Sequence, residues 1–395
     1  METTDALAGL RCMACDGQFD PDDAAGRCPD CDGALEPTYD DLTRAHGQIF
    51  EPADNASGGI DRFAPALPLP ADHLITVAEG STPLSRCPML ADELGVGRLL
   101  VKDEGCNGTG GIADRGMAVA VGAAREHSAE AVALPTAGNG GQAAAAYAGR
   151  AGLDAHSFVP SRTTFENKAM INVHGGEMNV VGGRYPDARS AFVDATGDES
   201  WHSLTPFGEP YRHEGIKTVA YELVATLDGA PDAVVIPTSH GLSLVGIDRG
   251  FRELAATGRI GDRPRLYAAQ AAGCAPIATS WNGGEDGVEP TEHPDAICGP
   301  LEIPDPAGGS AVIDALAATD GGAVATPDGE ILQGAVDLAG VGIPMSATGG
   351  AGVSGARSLA ADGAFSGDET VVLVDPATAN READILRSHL MKQGI

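Results

Sequence analysis

The stretch "NGTGGIADRGMAVAVGAA", residues 107–124, decides the fold. It reads as a glycine-rich loop running into an amphipathic helix, and it follows the β-branched run "RLLVKDE" at 98–104. Strand, glycine loop and helix in that order form the junction at which α/β folds bind phosphates and cofactors, because amides at a helix N-terminus point outward with a favourable dipole. Two further junctions of this kind occur. "PTAGNGGQAAAAYAG" places Thr136, Gly138, Asn139 and Gly140 between a strand and a helix, and "IPTSHGLSLVGIDRGF" does the same for Thr238 to Ser243. One such turn is a common plain connector. Three in one chain make a small-molecule site the leading expectation.

Outward from these junctions the chain alternates. Short apolar runs "AVALPT", "AHSFVP", "MNVVGG", "AVVIPT", "RLYAAQ" and "TVVLVD" end in glycine or polar turns. Alanine-rich amphipathic segments at 114–126, 141–152, 214–227 and 242–256 separate several of them. Runs buried on both faces with helical crossovers predict parallel sheets and an α/β fold. No internal repeat is present. The Pro-, Gly- and Asp-rich segment 51–73 reads as a connecting arm, and 282–310 as a loop-rich surface excursion. At 395 residues the chain is too long for one ordinary core, so two or more domains are expected.

Charge narrows the partners. The chain carries 56 acidic against 25 basic residues, a formal net charge of −31, and its lysines are Lys102, Lys168, Lys217 and Lys392. Such a surface repels nucleic acid and anionic membranes. The acid is spread among Ala and Gly rather than gathered in a tail, which fits a solvated surface in a salty cytosol, where screening removes most self-repulsion. An ordinary acidic protein is the alternative. No apolar run is long enough to span a bilayer and "METTDALAGLRC" is no signal peptide, so a cytoplasmic protein is expected.

In that compartment cysteines favour metal binding or free thiols over disulfides. "CMAC" at Cys12 and Cys15 and "CPDC" at Cys28 and Cys31 form paired knuckles, which let four thiolates converge on one structural zinc. Two redox pairs or four idle thiols are the alternatives. Cys87, Cys106, Cys274 and Cys298 are scattered and read as small buried hydrophobes.

The chain resembles threonine synthase and its relatives among the fold-type-II pyridoxal-phosphate enzymes. The resemblance is carried by "EGSTPL" (79–84), "VKDEGCNGTG" (101–110), "DRGMAVAV" (114–121), "TAGNGGQAAAAYAGRAGL" (136–153), "PYRHEGIKTVAYEL" (210–223) and "LYAAQAAGCAPI" (266–277). The cysteine ribbon is similar to the N-terminal zinc ribbon of many archaeal members. The resemblance implies a two-lobe, tryptophan synthase β-like α/β fold with parallel sheets. Its expected parts are a ribbon at 1–38, a connecting arm and start of the large lobe at 39–105, a small α/β lobe at 106–205 and the large lobe at 206–395, with a cleft between the lobes. It also implies pyridoxal phosphate as cofactor and conversion of O-phosphohomoserine to threonine and phosphate.

Several positions depart from the family pattern. Members usually read "NPTGSFKDRG", whose lysine holds the cofactor as a Schiff base; here "NGTGGIADRG" puts Ala113 in its place. A methyl group can neither form that bond nor return a proton to the activated carbon. The cofactor-phosphate loop, a glycine run in the family, is "TSHGLS", which retains only Gly241, with His240 and Leu242 beside it. Where members end their last core strand in "TGxGLKD", this chain has "PATANRE". Pro376 falls on the threonine that bonds the pyridine nitrogen, with Thr378 nearby.

The resemblance makes Asn139, Gly241 and Ser243 the cofactor-binding candidates, and Thr82, Lys102, Thr136 and Arg212 the substrate-binding ones. A turn requiring positive φ explains Asn139 equally well, a surface ion pair explains Arg212, and Asp114 and Arg115 read as an intrahelical pair. His240 is a candidate acid or base against a structural reading. His174, beside "GGE", has no helix-spaced second histidine, and neither a Ser-His-Asp set nor a carboxylate pair is legible. Two functions follow. One is a threonine synthase-like pseudoenzyme that binds a small phosphorylated or amino-acid ligand, as a homodimer or with an active paralogue. The other is an enzyme holding its cofactor without a covalent bond, or running other chemistry.

Overall fold

A computed structural model describes residues 1–50, 58–197, 199–285 and 287–394. The first part of the expected connecting arm, 51–57, lies outside the described residues, as does position 286 within the loop-rich stretch. The strands in chain order are β1 (Leu7–Cys12), β2 (Gln18–Phe19), β3 (Leu35–Tyr39), β4 (Leu84–Arg86), β5 (Arg98–Asp103), β6 (Ala131–Pro135), β7 (Asp154–Pro160), β8 (Glu177–Val181), β9 (His202–Ser203), β10 (Ala233–Pro237), β11 (Arg265–Ala271), β12 (Gly322–Thr326) and β13 (Thr370–Asp375). The chain divides into two compact units: Met1–Ser81, Ala113–Ala225 and Arg252–Gly261 in the first, and Thr82–Ile112, Thr226–Phe251 and Asp262–Ile395 in the second.

The first unit holds two sheets. The ribbon is antiparallel, in the order β2-β1-β3. The other sheet, β8-β7-β6-β9, is wholly parallel. Every residue of β6 is buried, the pattern of a strand covered on both faces, whereas β8 at the edge is mostly exposed or half-buried. Helix Ala113–Glu126 and helix Arg212–Leu227 meet backbone to backbone. A Cβ on Gly215 would lie 1.8 Å from the Arg115 carbonyl oxygen, and one on Gly116 would lie 2.7 Å from that of Arg212, so only glycine permits the approach. Arg115, fully buried there, donates to the Glu222 carboxylate at 2.8 and 2.9 Å and to Thr218 Oγ1 at 2.9 Å. Of the expected arm, Ile60–Ala66 form a 3-10 helix that buries Ile60, Phe63, Ala64 and Ala66.

The second unit is built on the six-stranded sheet β12-β11-β10-β13-β5-β4, parallel except for the β4–β5 pair. Val101, Val235, Ala269 and Leu373 fill one face of its core with Ile331 and Val353. Because β10, β13 and β5 are parallel neighbours, the turns that follow them leave one edge of the sheet. These are 238–243, 376–381 and 104–112, and the carboxyl edge is where open α/β sheets place ligands. The seven apolar runs read as strands are all strands, and the four amphipathic segments are helices with ends shifted by at most two residues. Cys87, Cys274 and Cys298 are buried, but Cys106 is exposed because it sits in the turn after β5. No helix among the described residues is long and apolar enough to cross a membrane.

Candidate functional site

The ribbon brings its four cysteines together. One sulfur from each of Cys12, Cys15, Cys28 and Cys31 lies within 4.8 Å of all the others, with Cys12–Cys31 at 3.5 Å and Cys15–Cys28 at 3.7 Å. Four thiolates at Zn–S bonds of about 2.3 Å span this volume, so the cluster fits a tetrahedral zinc.

In the first unit Thr136, Asn139 and Arg212 converge. The turn after β6 is closed by Thr136 Oγ1, which accepts from the Gly138 and Gly141 amides at 3.0 and 3.2 Å. The residue with positive φ is Gly138, at 132°, while Asn139 opens helix Asn139–Ala151; the turn-geometry reading of Asn139 does not hold. Its Oδ1 is buried without a hydrogen-bond partner. A Cβ on Gly140 would lie 3.3 Å from Thr136 Oγ1 and 3.8 Å from Arg212 Nη2, so the glycine keeps the guanidinium close to the loop.

Arg212 is no surface residue. It is 5% exposed, begins its helix, and donates Nη1 to the Leu204 carbonyl at 2.7 Å, while its buried Nε has no partner. Glu209, which the sequence reading passed over, holds the other side: its Oε2 accepts from the Tyr211 and Arg212 amides at 2.8 and 2.9 Å. Burial pushes the Glu209 carboxyl up to about 8, with those amides and the Arg212 charge opposing. Burial likewise lowers Arg212 to about 10, with Glu209 opposing. The signal for Glu209 was an acid followed by proline just before a helix. An unpaired guanidinium N–H, an unpaired amide oxygen and a helix N-terminus can together bind an anion that also carries a donor.

In the second unit Thr82 and Lys102 are joined. Lys102 Nζ donates to the Thr82 carbonyl at 2.8 Å, and Thr82 Oγ1 donates to Glu104 Oε1 at 2.6 Å. Asn107 Nδ2 links Glu104 Oε2, at 2.8 Å, to the Gly111 carbonyl at 3.2 Å, so one network fixes the loop that leads into Ala113. The same loop pairs with the segment after β13 through a Gly111–Ala377 bridge, and Thr378 turns its methyl toward Gly110, where a Cβ would lie 2.9 Å away. Asp375, at the end of β13, is fully buried. One of its oxygens accepts from Ser346 Oγ at 2.8 Å and the other has no partner. Burial raises its carboxyl well above the usual range, and the Asp103 charge adds to the effect. No sequence pattern singled it out.

Gly241 and Ser243 lie on the turn after β10, at the start of helix Leu242–Ala256. Gly241 has φ 92°, and a Cβ there would be 2.5 Å from Val312 Cγ2 and 3.2 Å from the Gly308 carbonyl oxygen. The His240 carbonyl accepts from the Gly308 amide at 2.9 Å. This glycine therefore serves packing against residues 308–312. Among the described residues the cysteine cluster is the one group of three or more His, Cys, Asp or Glu side chains placed to hold a metal ion.

The profile of the pyridoxal-phosphate dependent enzymes matches residues 75–376. Threonine synthase of Methanosarcina acetivorans is 32% identical over 92% of this chain and 90% of its own length. That of Methanocaldococcus jannaschii is 29% identical over 95% and 93%. Among solved structures, threonine deaminase isoform 2 from Solanum lycopersicum superposes with a TM-score of 0.67 at 19% identity, covering 80% of this chain and 88% of that one. The L-serine ammonia-lyase from Rhizomucor miehei gives 0.67 at 20%, covering 79% and 98%.

Proposed function

The chain belongs to the pyridoxal-phosphate dependent enzyme family, with the fold-type-II architecture, and we propose that it is a threonine synthase-like member that has left the family's catalytic cycle and works as a small-molecule binding or regulatory module. The observation that carries this reading is Ala113. It opens helix Ala113–Glu126 directly after the glycine loop, where the resemblance expects the Schiff-base lysine. The lysines that remain have other tasks. Lys102 is bonded to the Thr82 carbonyl, Lys217 is ion-paired with Glu214 and Glu253, and Lys168 donates to the Ser161 carbonyl. Lys392 is on the last helix. Gly241, packed against Val312, offers less of the open backbone that a glycine run gives a phosphate. These residues do not fit covalent attachment of pyridoxal phosphate, so no reaction step is assigned to it.

What supports retained binding is the half-site in the first unit. The unpartnered, buried Asn139 Oδ1 and Arg212 Nε suit a small phosphorylated or amino-acid ligand. Zinc in the ribbon would be structural, because so small a core gains its fold from the metal. The purified protein mixed with pyridoxal phosphate is expected to show no Schiff-base absorbance, no borohydride-trapped lysine inside the fold and no threonine from O-phosphohomoserine. Threonine formed by protein free of host enzyme would overturn the reading. Turnover without a trapped lysine would establish the second reading, an enzyme with a non-covalent cofactor or altered chemistry.

A further inference from the structure

The four-thiol cluster and Arg212 share a wall. The turn from Thr205 to Tyr211 joins β9 to helix Arg212–Leu227, and it is tight: the Gly208 and Glu209 amides both donate to the Thr205 carbonyl at 3.1 Å. Inside it, buried Phe207 has φ 59°, a left-handed conformation that a bulky side chain keeps only when its surroundings hold it there.

Part of that hold comes from the ribbon. The knuckle Gly26–Cys28 lies against the turn: a Cβ on Gly26 would be 3.6 Å from the Gly208 carbonyl oxygen, and one on Gly208 would be 3.7 Å from Arg27 Nε. A second hold acts on the helix itself. Tyr39, the last residue of β3, donates its hydroxyl to Glu214 Oε2 in the first helical turn, and Lys217 Nζ sits 4.2 Å from the centre of its ring. Lys217 in turn pairs with Glu214 at 2.7 Å and Glu253 at 3.1 Å. Arg212 leaves the helix start between these two holds, its amide and guanidinium already fixed by Glu209 and Leu204.

We infer that the metal-loaded ribbon positions Arg212: metal at Cys12, Cys15, Cys28 and Cys31 sets the 205–211 turn through Arg27 and the first turn of the helix through Tyr39, and so sets anion affinity at the guanidinium. Arg27 and Tyr39 are positioning residues, and the inference rests on reading Arg212 as an anion-binding group. The physical cause is the ribbon's small core. Its buried apolar members are Leu10, Cys12, Ala24, Cys28 and Leu35, too few to hold both knuckles without the metal.

The test uses the full chain, zinc-loaded and chelator-stripped, read by amide hydrogen exchange and by calorimetric titration with inorganic phosphate. Stripping should speed exchange at Tyr211 and Arg212 by about tenfold or more and weaken phosphate binding by a similar factor, with the amides of β10 and β13 unchanged. Unchanged exchange across 205–217 in verified metal-free protein overturns the coupling. If stripping unfolds the whole first unit, zinc-loaded Tyr39→Phe and Arg27→Ala decide. Both should keep full metal content yet exchange faster across 205–217, and wild-type rates in both overturn it. Zinc-loaded protein that binds no phosphate sinks the anion-site reading alone, since exchange still reports the coupling.

Discussion

The Ile112 amide donates to the Pro376 carbonyl at 2.9 Å, so the residue before Ala113 is fixed to the residue that follows β13. The Thr378 amide returns a bond to the Gly110 carbonyl at 3.0 Å, and Arg381 donates to Thr109 Oγ1 at 3.1 Å. The loop that leads toward Ala113 and the segment after β13 are thus braced together. Ala113→Lys alone should leave threonine formation at least about three orders of magnitude below that of an active threonine synthase, because only the amine is restored. Activity near that of such an enzyme would show that a single substitution separates this chain from catalysis.

Removing Glu222 tests the helix crossing. Arg115 is fully buried and makes two bonds to that carboxylate, so Glu222→Ala takes both bonds and that counter-charge from the buried guanidinium. The expected loss is about 3–5 kcal/mol, measured by denaturant unfolding at fixed salt. A loss under about 1 kcal/mol would mean water reaches the guanidinium.

Metal analysis after dialysis against dilute chelator should find about one zinc per chain, as one four-thiolate site requires. Cys12→Ala should abolish it, and Cys106→Ala, outside the cluster, should not. Zinc-free protein with native ribbon exchange protection would refute the assignment.

Glu209 sets a pH dependence. Its folded pKa of about 8 lies above the ordinary glutamate value of 4.5, so the native state binds the proton more tightly than the unfolded chain does. Stability from this group is therefore complete below about 4.5 and is lost as pH rises to about 8. Glu209→Gln should flatten that slope in thermal unfolding followed between those limits. An unchanged slope would assign the dependence to other carboxyls.

The parallel strands were legible because β6, β10 and β13 are buried on both faces and so read as unbroken apolar runs. β12 escaped notice: "GAVAT" is short and alanine-rich, and it sits at the sheet edge. Thr136, Asn139 and Arg212 were legible from the glycine loop and the family resemblance. Glu209 and Asp375 were not, because what distinguishes them is complete burial of a carboxylate, a property of tertiary packing rather than of local pattern. Cys106 departs from the expected burial for the converse reason. A cysteine's preference for burial gives way when the backbone places it on a turn.

The scarcity of lysine has a practical side. Lys102 is 2% exposed and Lys217 is fully buried, while Lys168 is half-buried and Lys392 exposed. Amine-directed reagents applied to the native chain, whether succinimidyl esters, aldehyde cross-linkers or pyridoxal phosphate fixed by reduction, should therefore mark the last helix first. A peptide map that finds the label on Lys392 reports surface chemistry, and only a label on Lys102 or Lys217 would report an amine inside the fold.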